Sequence, residues 1–342
     1  MALFPKSERP QRLDVIVGKD PLTMKRVWGL PGESIELHDG ELWIDGVLFQ
    51  KTLPQFAQVG VLLSSCPDDP HNHWRRHTSI SEAYLPIEFE KSSNSVSLSA
   101  GEPLFFCYHY PNRDIAPPSL EPKPVVDDYI ANQNSTSELH VVDDLLLTVE
   151  LLRPATTVWF VEFRVAKQSF YIDIYPAAED VIVLPVESGI AKSGYSLQCR
   201  RHLGVAVCDG RILASSDIEN CEWDLAESVV DLRPEKGNFG AGGRRASTDA
   251  QIVLNTTSKL DIVRATVARD LWLGPRENSR GSWTNDGSAT AGYFVLGDNL
   301  PISQDSRDTG FGRLNPNRVI GRIPNRPVEG WVRVLEDGQK SR

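Results

Sequence analysis

The feature that most limits the fold of this chain is a series of short apolar runs, separated by Gly, Pro, Asn, Asp and Ser. Within residues 86–230 the runs are 95–98, 103–108, 145–152, 158–164, 170–174, 181–185 and 203–207. They do not continue with the spacing of about 3.6 residues that marks an amphipathic helix. Their length and separation are typical of strands in a β-sandwich. The sequence therefore predicts a mainly β protein with a sandwich in this region.

Length, charge and hydropathy limit the number of domains and the kinds of partner that this chain can have. The 342 residues suffice for two domains, and the net charge of −10 argues against a nucleic-acid partner. No apolar run reaches the roughly 18 residues of a membrane span. The first residues, MALFPKSERPQR, are too short and too polar for a signal peptide.

The five cysteines stand at irregular spacings, without a C-x-x-C pair, at positions 66, 107, 199, 208 and 221. This pattern predicts buried thiols rather than a zinc or redox centre. One or two disulfides are the alternative if the protein lies outside the cytoplasm.

A polar loop follows a short apolar run near the C-terminus. Residues 293–312 read YFVLGDNLPISQDSRDTGFG. The first four predict a buried strand that ends at Gly297. The glycines on either side of Phe311 predict tight turns around one ring. Taken alone, such a loop is typical of a solvated structural connection.

A second distinctive stretch, residues 24–46, reads MKRVWGLPGESIELHDGELWIDG. Pro31-Gly32 predicts a turn, and Asp39-Gly40 is a hairpin signal. We expect strands at 13–17 and 24–28, followed by a hairpin of 34–37 and 41–49.

Together, KRVWGLPGES and GDNLPISQDSR resemble, in content and order, the motifs of bacterial type I signal peptidases, the S26 family. Members of this family are membrane-bound serine proteases with a Ser/Lys dyad on a β fold. Residues 12–17 and 318–322 also resemble strands of the family. The resemblance covers residues 9–50 and 291–324.

This resemblance implies a signal-peptidase-like β core of residues 1–55 and 291–342, split by a β-rich insertion at residues 56–290. A hairpin is expected in the insertion at 204–212, around Asp209-Gly210. The insertion also resembles the concanavalin-like sandwiches of lectins and laminin-type domains, a likeness of topology that does not establish sugar binding.

The family's general base is the lysine that opens the first motif, and this position is Lys25 here. A lysine acts as a base only when it is neutral, and its ordinary pKa is about 10.4. Burial beside Val27, Trp28 and Leu30 would disfavour the charged form and so lower that pKa.

The other matched positions are implied to orient or support this base. Ser303 is implied to be catalytic by hydrogen bonding to Lys25 and orienting it. Asp305 and Arg307 match a carboxylate–guanidinium pair, and Asp298 matches an aspartate that lies close to the arginine of the first motif. The supporting set is Arg26, Gly297, Asp298, Asn299, Asp305 and Arg307.

The nucleophile is not identified. In the family, the nucleophilic serine and the oxyanion hole come from a segment upstream of the strand that residues 12–17 resemble. The residues before Arg12 contain one serine, Ser7, without the Pro-Thr that follows the family's serine. Either the natural chain begins further upstream, or the protein is a non-catalytic relative.

The resemblance implies a serine endopeptidase that cleaves exported precursors after small residues, with no metal or organic cofactor. It would work on the periplasmic face of the bacterial cytoplasmic membrane if an anchor precedes this chain. The alternative is a non-catalytic relative whose β insertion binds glycan or protein. The self-cleaving repressors, a related Ser/Lys class, fit less well because the chain has no helical DNA-binding region.

A histidine-rich tract contains potential metal ligands. His71, His73 and His77 stand near Asp68 and Asp69. Imidazoles two apart on a strand or four apart on a helix can share a metal, but one straight segment cannot satisfy both periods. We therefore interpret the tract as a polar loop.

Overall fold

A computed structural model of the protein describes residues 9–66, 73–77, 84–86, 95–108, 123–127, 139–165, 168–176, 195–217, 220–224, 251–274, 282–284, 291–308 and 310–323. These residues are mainly β, as predicted. None of their helices is long and apolar enough to cross a membrane. The apolar run at 181–185, Ser7, His71, Asp68 and Asp69 lie outside them.

The first strands form where the N-terminal motif predicts them. They are β1 Val15–Gly18, β2 Thr23–Gly29, β3 Ile35–His38, β4 Glu41–Ile44 and β5 Val47–Leu48. The β3–β4 turn has Asp39 at φ 51° and Gly40 at φ 88°. Both values are typical of an Asp-Gly hairpin turn. The single strand predicted over 41–49 is wrong, because a second Asp-Gly turn at Asp45 and Gly46 divides it.

The middle of the chain contains a short helix and most of the strands. They are α1 Leu53–Val59, β6 Val61–Cys66, β7 Trp74–His77, β8 Tyr84–Pro86, β9 Val96–Leu98, β10 Leu104–Phe106, β11 Leu145–Leu151, β12 Trp159–Val165, β13 Gln168–Pro176, β14 Tyr195–Cys199, β15 His202–Cys208, β16 Arg211–Ser216, β17 Asn220–Asp224, β18 Ile252–Thr256 and β19 Leu260–Arg269. The hairpin predicted at 204–212 forms as β15 and β16.

The last strands are β20 Ser282–Thr284, β21 Phe294–Leu296 and β22 Val319–Ile323. β21 and β22 correspond to the strands predicted at the start of the second motif and at 318–322. β20 pairs with β3.

Two features of the described residues were not predicted. The helix α1 was missed because it has only seven residues; it is stabilised by a capping box between Thr52 and Gln55. The histidine-rich tract is not wholly a loop, since His77 belongs to β7 and His73, just before it, is buried. The backbone pairing of β7 with β10 overrides the polar composition.

The described residues form two compact units. The first contains the described parts of Met1–Lys51, Asp127–His140 and Leu271–Glu329. Its sheet A has the order β21-β2-β1-β22, and its sheet B has the order β20-β3-β4-β5. Neighbouring strands in both are antiparallel.

Residues of sheet A and of the segments next to it form the hydrophobic cluster that positions the candidate site. Its buried members are Ile16, Val27, Tyr293, Val295 and Leu314. They come from β1, β2, β21, the residue just before β21 and the segment after the second motif. Burial of their apolar surface therefore holds the two ends of the sequence together. The two resembling stretches are therefore parts of one sheet.

The second unit contains the described parts of Thr52–Val126 and Val141–Asp270. Its sheet C has the order β17-β16-β15-β11-β19-β6, with β9 also paired to β19, and its sheet D has the order β14-β13-β12-β18-β10-β7-β8. The sandwich arrangement and the predicted domain limits stay predictions. Among the described residues, Cys66, Cys107, Cys199 and Cys208 are buried and form no disulfide.

Candidate active site

Strand pairing brings Lys25 to the loop that follows β21. Arg26 pairs with Leu296 across β2 and β21, so Lys25 lies one residue from the end of that ladder. The Lys25 Nζ donates a hydrogen bond of 2.6 Å to the Ser303 Oγ, and the two residues are 278 positions apart in sequence. Ser303 is held in turn by a backbone hydrogen bond of 3.0 Å from its N–H to the Asn299 carbonyl.

The partly buried Lys25 amine also lies 6.0 Å from the centre of the Phe311 ring. Phe311 packs against the core of sheet A, and its N–H donates to the Asp308 carbonyl. Lys25 therefore projects from β2 between a hydroxyl and an aromatic ring that the second motif supplies.

Gly297 leaves the space in which this pair meets. A Cβ at this position would lie 1.8 Å from the Ser303 Oγ and 3.2 Å from the Lys25 Nζ. The first distance is far below van der Waals contact, and the Ser303 Cβ, only 2.4 Å away, would also have to move. The glycine of the GDN sequence is thus a steric requirement of the Lys25–Ser303 contact.

We expect Gly297→Ala to separate Lys25 from Ser303 and to lower the free energy of unfolding by about 1–3 kcal/mol, a typical cost of overpacking. Urea denaturation measures the change. Gly310→Ala is the matched control in the same loop, because a Cβ there meets nothing within 4 Å. Equal stability of the two variants would contradict the steric argument.

A buried ion pair holds the loop that carries Ser303. The Arg307 Nε and Nη2 donate to the two Asp305 carboxylate oxygens at 2.9 and 2.8 Å. The Asp305 side chain is fully buried, at 0% exposure. Arg307 also donates to the carbonyls of Gly274 and Leu300. Such a bidentate, multiply hydrogen-bonded pair orders the loop.

The same carboxylate reaches the end of β21. Asp305 accepts a hydrogen bond of 3.3 Å from the Gly297 N–H, and the next residue, Ser306, exchanges hydrogen bonds with the Val295 backbone. The loop therefore folds back along the strand that precedes it.

A second ion pair joins the two motifs directly. The Arg26 Nε and Nη2 donate to the two Asp298 carboxylate oxygens, each at 2.8 Å. Arg26 is buried and also donates to the Leu13 carbonyl, whereas the Asp298 side chain is 61% exposed. The contact suggested between the first-motif arginine and the GDN aspartate is thus present.

The loop after β2 is held by residues to which the sequence analysis gave no role. The Arg12 Nη2 donates to the Glu33 Oε1 at 2.7 Å, and Glu33 accepts a second bond of 2.7 Å from the Leu30 N–H. Arg313 donates to the carbonyls of Leu30, Glu33 and Gly292. Burial lowers the pKa of Arg313, although the carboxylates of Glu33 and Asp45 oppose the shift. In the sequence, these contacts were indicated only by the charges of Arg12, Glu33 and Arg313, which stand next to turn residues.

A family model described as signal peptidase, peptidase S26, matches residues 1–74. The match includes Lys25, Arg26 and the loop after β2, and it supports a relation to that protease family at a coarse level. The second motif lies outside the matched residues. Neither the curated proteins nor the solved structures gave a match.

A group of potential metal ligands lies elsewhere, in the second unit. Ligand atoms of Asp144, Cys208, Asp209 and Asp270 lie within 4.8 Å of one another. An Asp144 oxygen accepts from the Asp209 N–H, and the Cys208 thiol donates to Asp209. These hydrogen bonds join Asp144, Cys208 and Asp209 to one another, and we assign the group no metal.

Proposed function

We propose that sheet A and its loops carry the general-base part of a Ser/Lys endopeptidase that removes signal peptides from exported precursors. Lys25 is the general base and Ser303 orients it. The observation that carries the proposal is the 2.6 Å hydrogen bond between these side chains. The match to the signal peptidase family supports the class of substrate.

The contacts suggest how the base would be oriented. A neutral amine has one lone pair, and the N–H donated to the Ser303 Oγ limits the directions in which that lone pair can point. Asp305 and Arg307 hold the Ser303 loop in place. In the reaction, Lys25 takes the proton of a serine hydroxyl as its oxygen attacks the scissile carbonyl, and later returns the proton to the leaving amine.

The serine nucleophile is unassigned. In the proposed arrangement it reaches the Lys25 amine from a segment other than the Ser303 loop, and the precursor binds as an extended strand next to it. The proposed place of action is the periplasmic face of the bacterial cytoplasmic membrane, where precursors emerge during export.

The test uses the protein isolated from its host through a C-terminal tag, so that it has the length the host gives it. We expect this preparation to cut an exported precursor once, directly after small residues, as read from the N-terminus of the product by mass spectrometry. A precursor with leucine as the last residue before the cut is the control and should stay intact. Failure to cut the unaltered precursor would overturn the proposal.

A further inference from the structure

One row of side chains crosses five strands of sheet D. Consecutive pairings join Arg75 of β7 to Phe105, Phe105 to Val253, Val253 to Glu162, and Glu162 to Tyr171. Residues directly opposite each other in antiparallel strands project from the same face. The row is thus charged near both ends and apolar in the middle, where Phe105, Cys107 and Val253 form a buried cluster.

Within the described residues, Arg75 is the charged member of this row for which no counterion is present. The residue is only 2% exposed. Its Nε and Nη1 are buried, and neither has a hydrogen-bond partner in the part of the chain that the structure describes. Guanidinium stays charged in proteins, so these donors cannot be relieved by deprotonation. Burying a charge without a partner is strongly unfavourable.

Glu162, the acidic residue of the row, is not the counterion of Arg75. Burial raises the pKa of Glu162, but hydrogen bonds and the charge of Arg164, with help from Ser169 and Tyr171, outweigh burial and place that pKa below its ordinary value. The Glu162 carboxylate accepts hydrogen bonds from the Arg164 Nε and Nη2 at 2.7 and 2.9 Å. Three strand spacings separate it from Arg75, roughly 14 Å. Arg75 therefore needs an anion from outside this row.

We infer that Arg75 binds a small organic monocarboxylate against the apolar cluster of Phe105, Cys107 and Val253. A carboxylate matches the planar guanidinium, and a single negative charge balances a single positive one. Phosphate fits less well, because the side chains of Phe105 and Val253 have no donors for its further oxygens. The buried surroundings favour a free, short-chain acid with an aliphatic tail. This site lies in the second unit and does not depend on the proposed protease activity.

Butyrate is the probe, and isothermal titration calorimetry on the full chain is the measurement. We expect saturable binding of one butyrate per chain, with butan-1-ol and inorganic phosphate as controls that bind at least about tenfold more weakly, the usual scale for one lost charge-assisted contact. No binding of butyrate at millimolar concentrations would overturn the inference. Equal binding of phosphate would overturn the assignment of a carboxylate.

The variant Arg75→Met distinguishes a ligand-binding role of Arg75 from a purely structural one. Because the substitution removes a buried charge, we expect the variant without butyrate to melt at or above the wild-type temperature and to lose butyrate binding. Arg75→Lys keeps the charge but not the planar fork, and should bind about tenfold more weakly. Arg153→Met, at an exposed position in the same unit, should bind normally. Strong destabilisation by Arg75→Met, or unchanged binding, would show that Arg75 is satisfied within the protein.

Discussion

Replacing Lys25 by alanine is expected to lower the rate of precursor cleavage by about a hundredfold to ten-thousandfold, the usual contribution of a general base. The reason is that Lys25 holds the amine that would take the serine proton, and its Nζ is already oriented by the Ser303 Oγ at 2.6 Å. The measurement is the initial rate of precursor cleavage by wild-type and variant proteins isolated from the host.

Arginine at the same position distinguishes a base from a structural cation. Lys25→Arg keeps a long, positively charged side chain, but guanidinium does not lose its proton in proteins. We therefore expect Lys25→Arg to be as inactive as Lys25→Ala, whereas Lys19→Ala, at an exposed position in the turn between β1 and β2, should cleave normally. If Lys25→Arg retained most of the activity, the proposed role of Lys25 would be wrong.

Replacing Asp305 by alanine is expected to lower the free energy of unfolding by about 3–5 kcal/mol, because it leaves one partner of a buried ion pair uncompensated. Asp305 is 0% exposed, and both of its oxygens accept from Arg307. It also accepts from the Gly297 and Arg307 N–H groups. Urea denaturation gives the change in stability.

The double variant Asp305→Ala/Arg307→Met tests the cause. If the unpaired guanidinium is responsible, removing it as well should restore part of the lost stability, so the double variant should be more stable than Asp305→Ala alone. Gln304→Ala, at an exposed position next to Asp305, is the control and should change stability by less than about 0.5 kcal/mol. A double variant less stable than Asp305→Ala would contradict this explanation.

Local chemistry explains which parts of the fold were predictable. Asp39-Gly40 and Asp209-Gly210 both form the predicted turns, because the Asp-Gly pair tolerates the positive φ that such hairpins need. The apolar runs became strands because alternation and bulk at that length favour a pleated, half-buried chain. By contrast, the tract around β7 is polar enough to suggest a loop, and its strand forms through pairing with a distant neighbour, β10.

The residue types of the candidate site were also present in the sequence, as Lys25, Ser303, Asp298, Asp305 and Arg307. The motifs resemble those of the signal peptidase family, and the model of that family matches residues 1–74, which include Lys25 but not the second motif. The steric role of Gly297 and the contacts of Arg12 and Arg313 were not predictable, because they depend on distances between segments far apart in the chain.

By itself, the sequence determined the β character, the main turns and the side chains available for acid–base chemistry, because these properties depend on a few neighbouring residues. Only the tertiary structure decided which side chains meet. Pairing of β2 with β21 places Lys25 against Ser303. The register of sheet D places Arg75 at a buried position where the described residues supply no counterion. Both outcomes arise because strand order and burial are set by contacts between residues far apart in the chain.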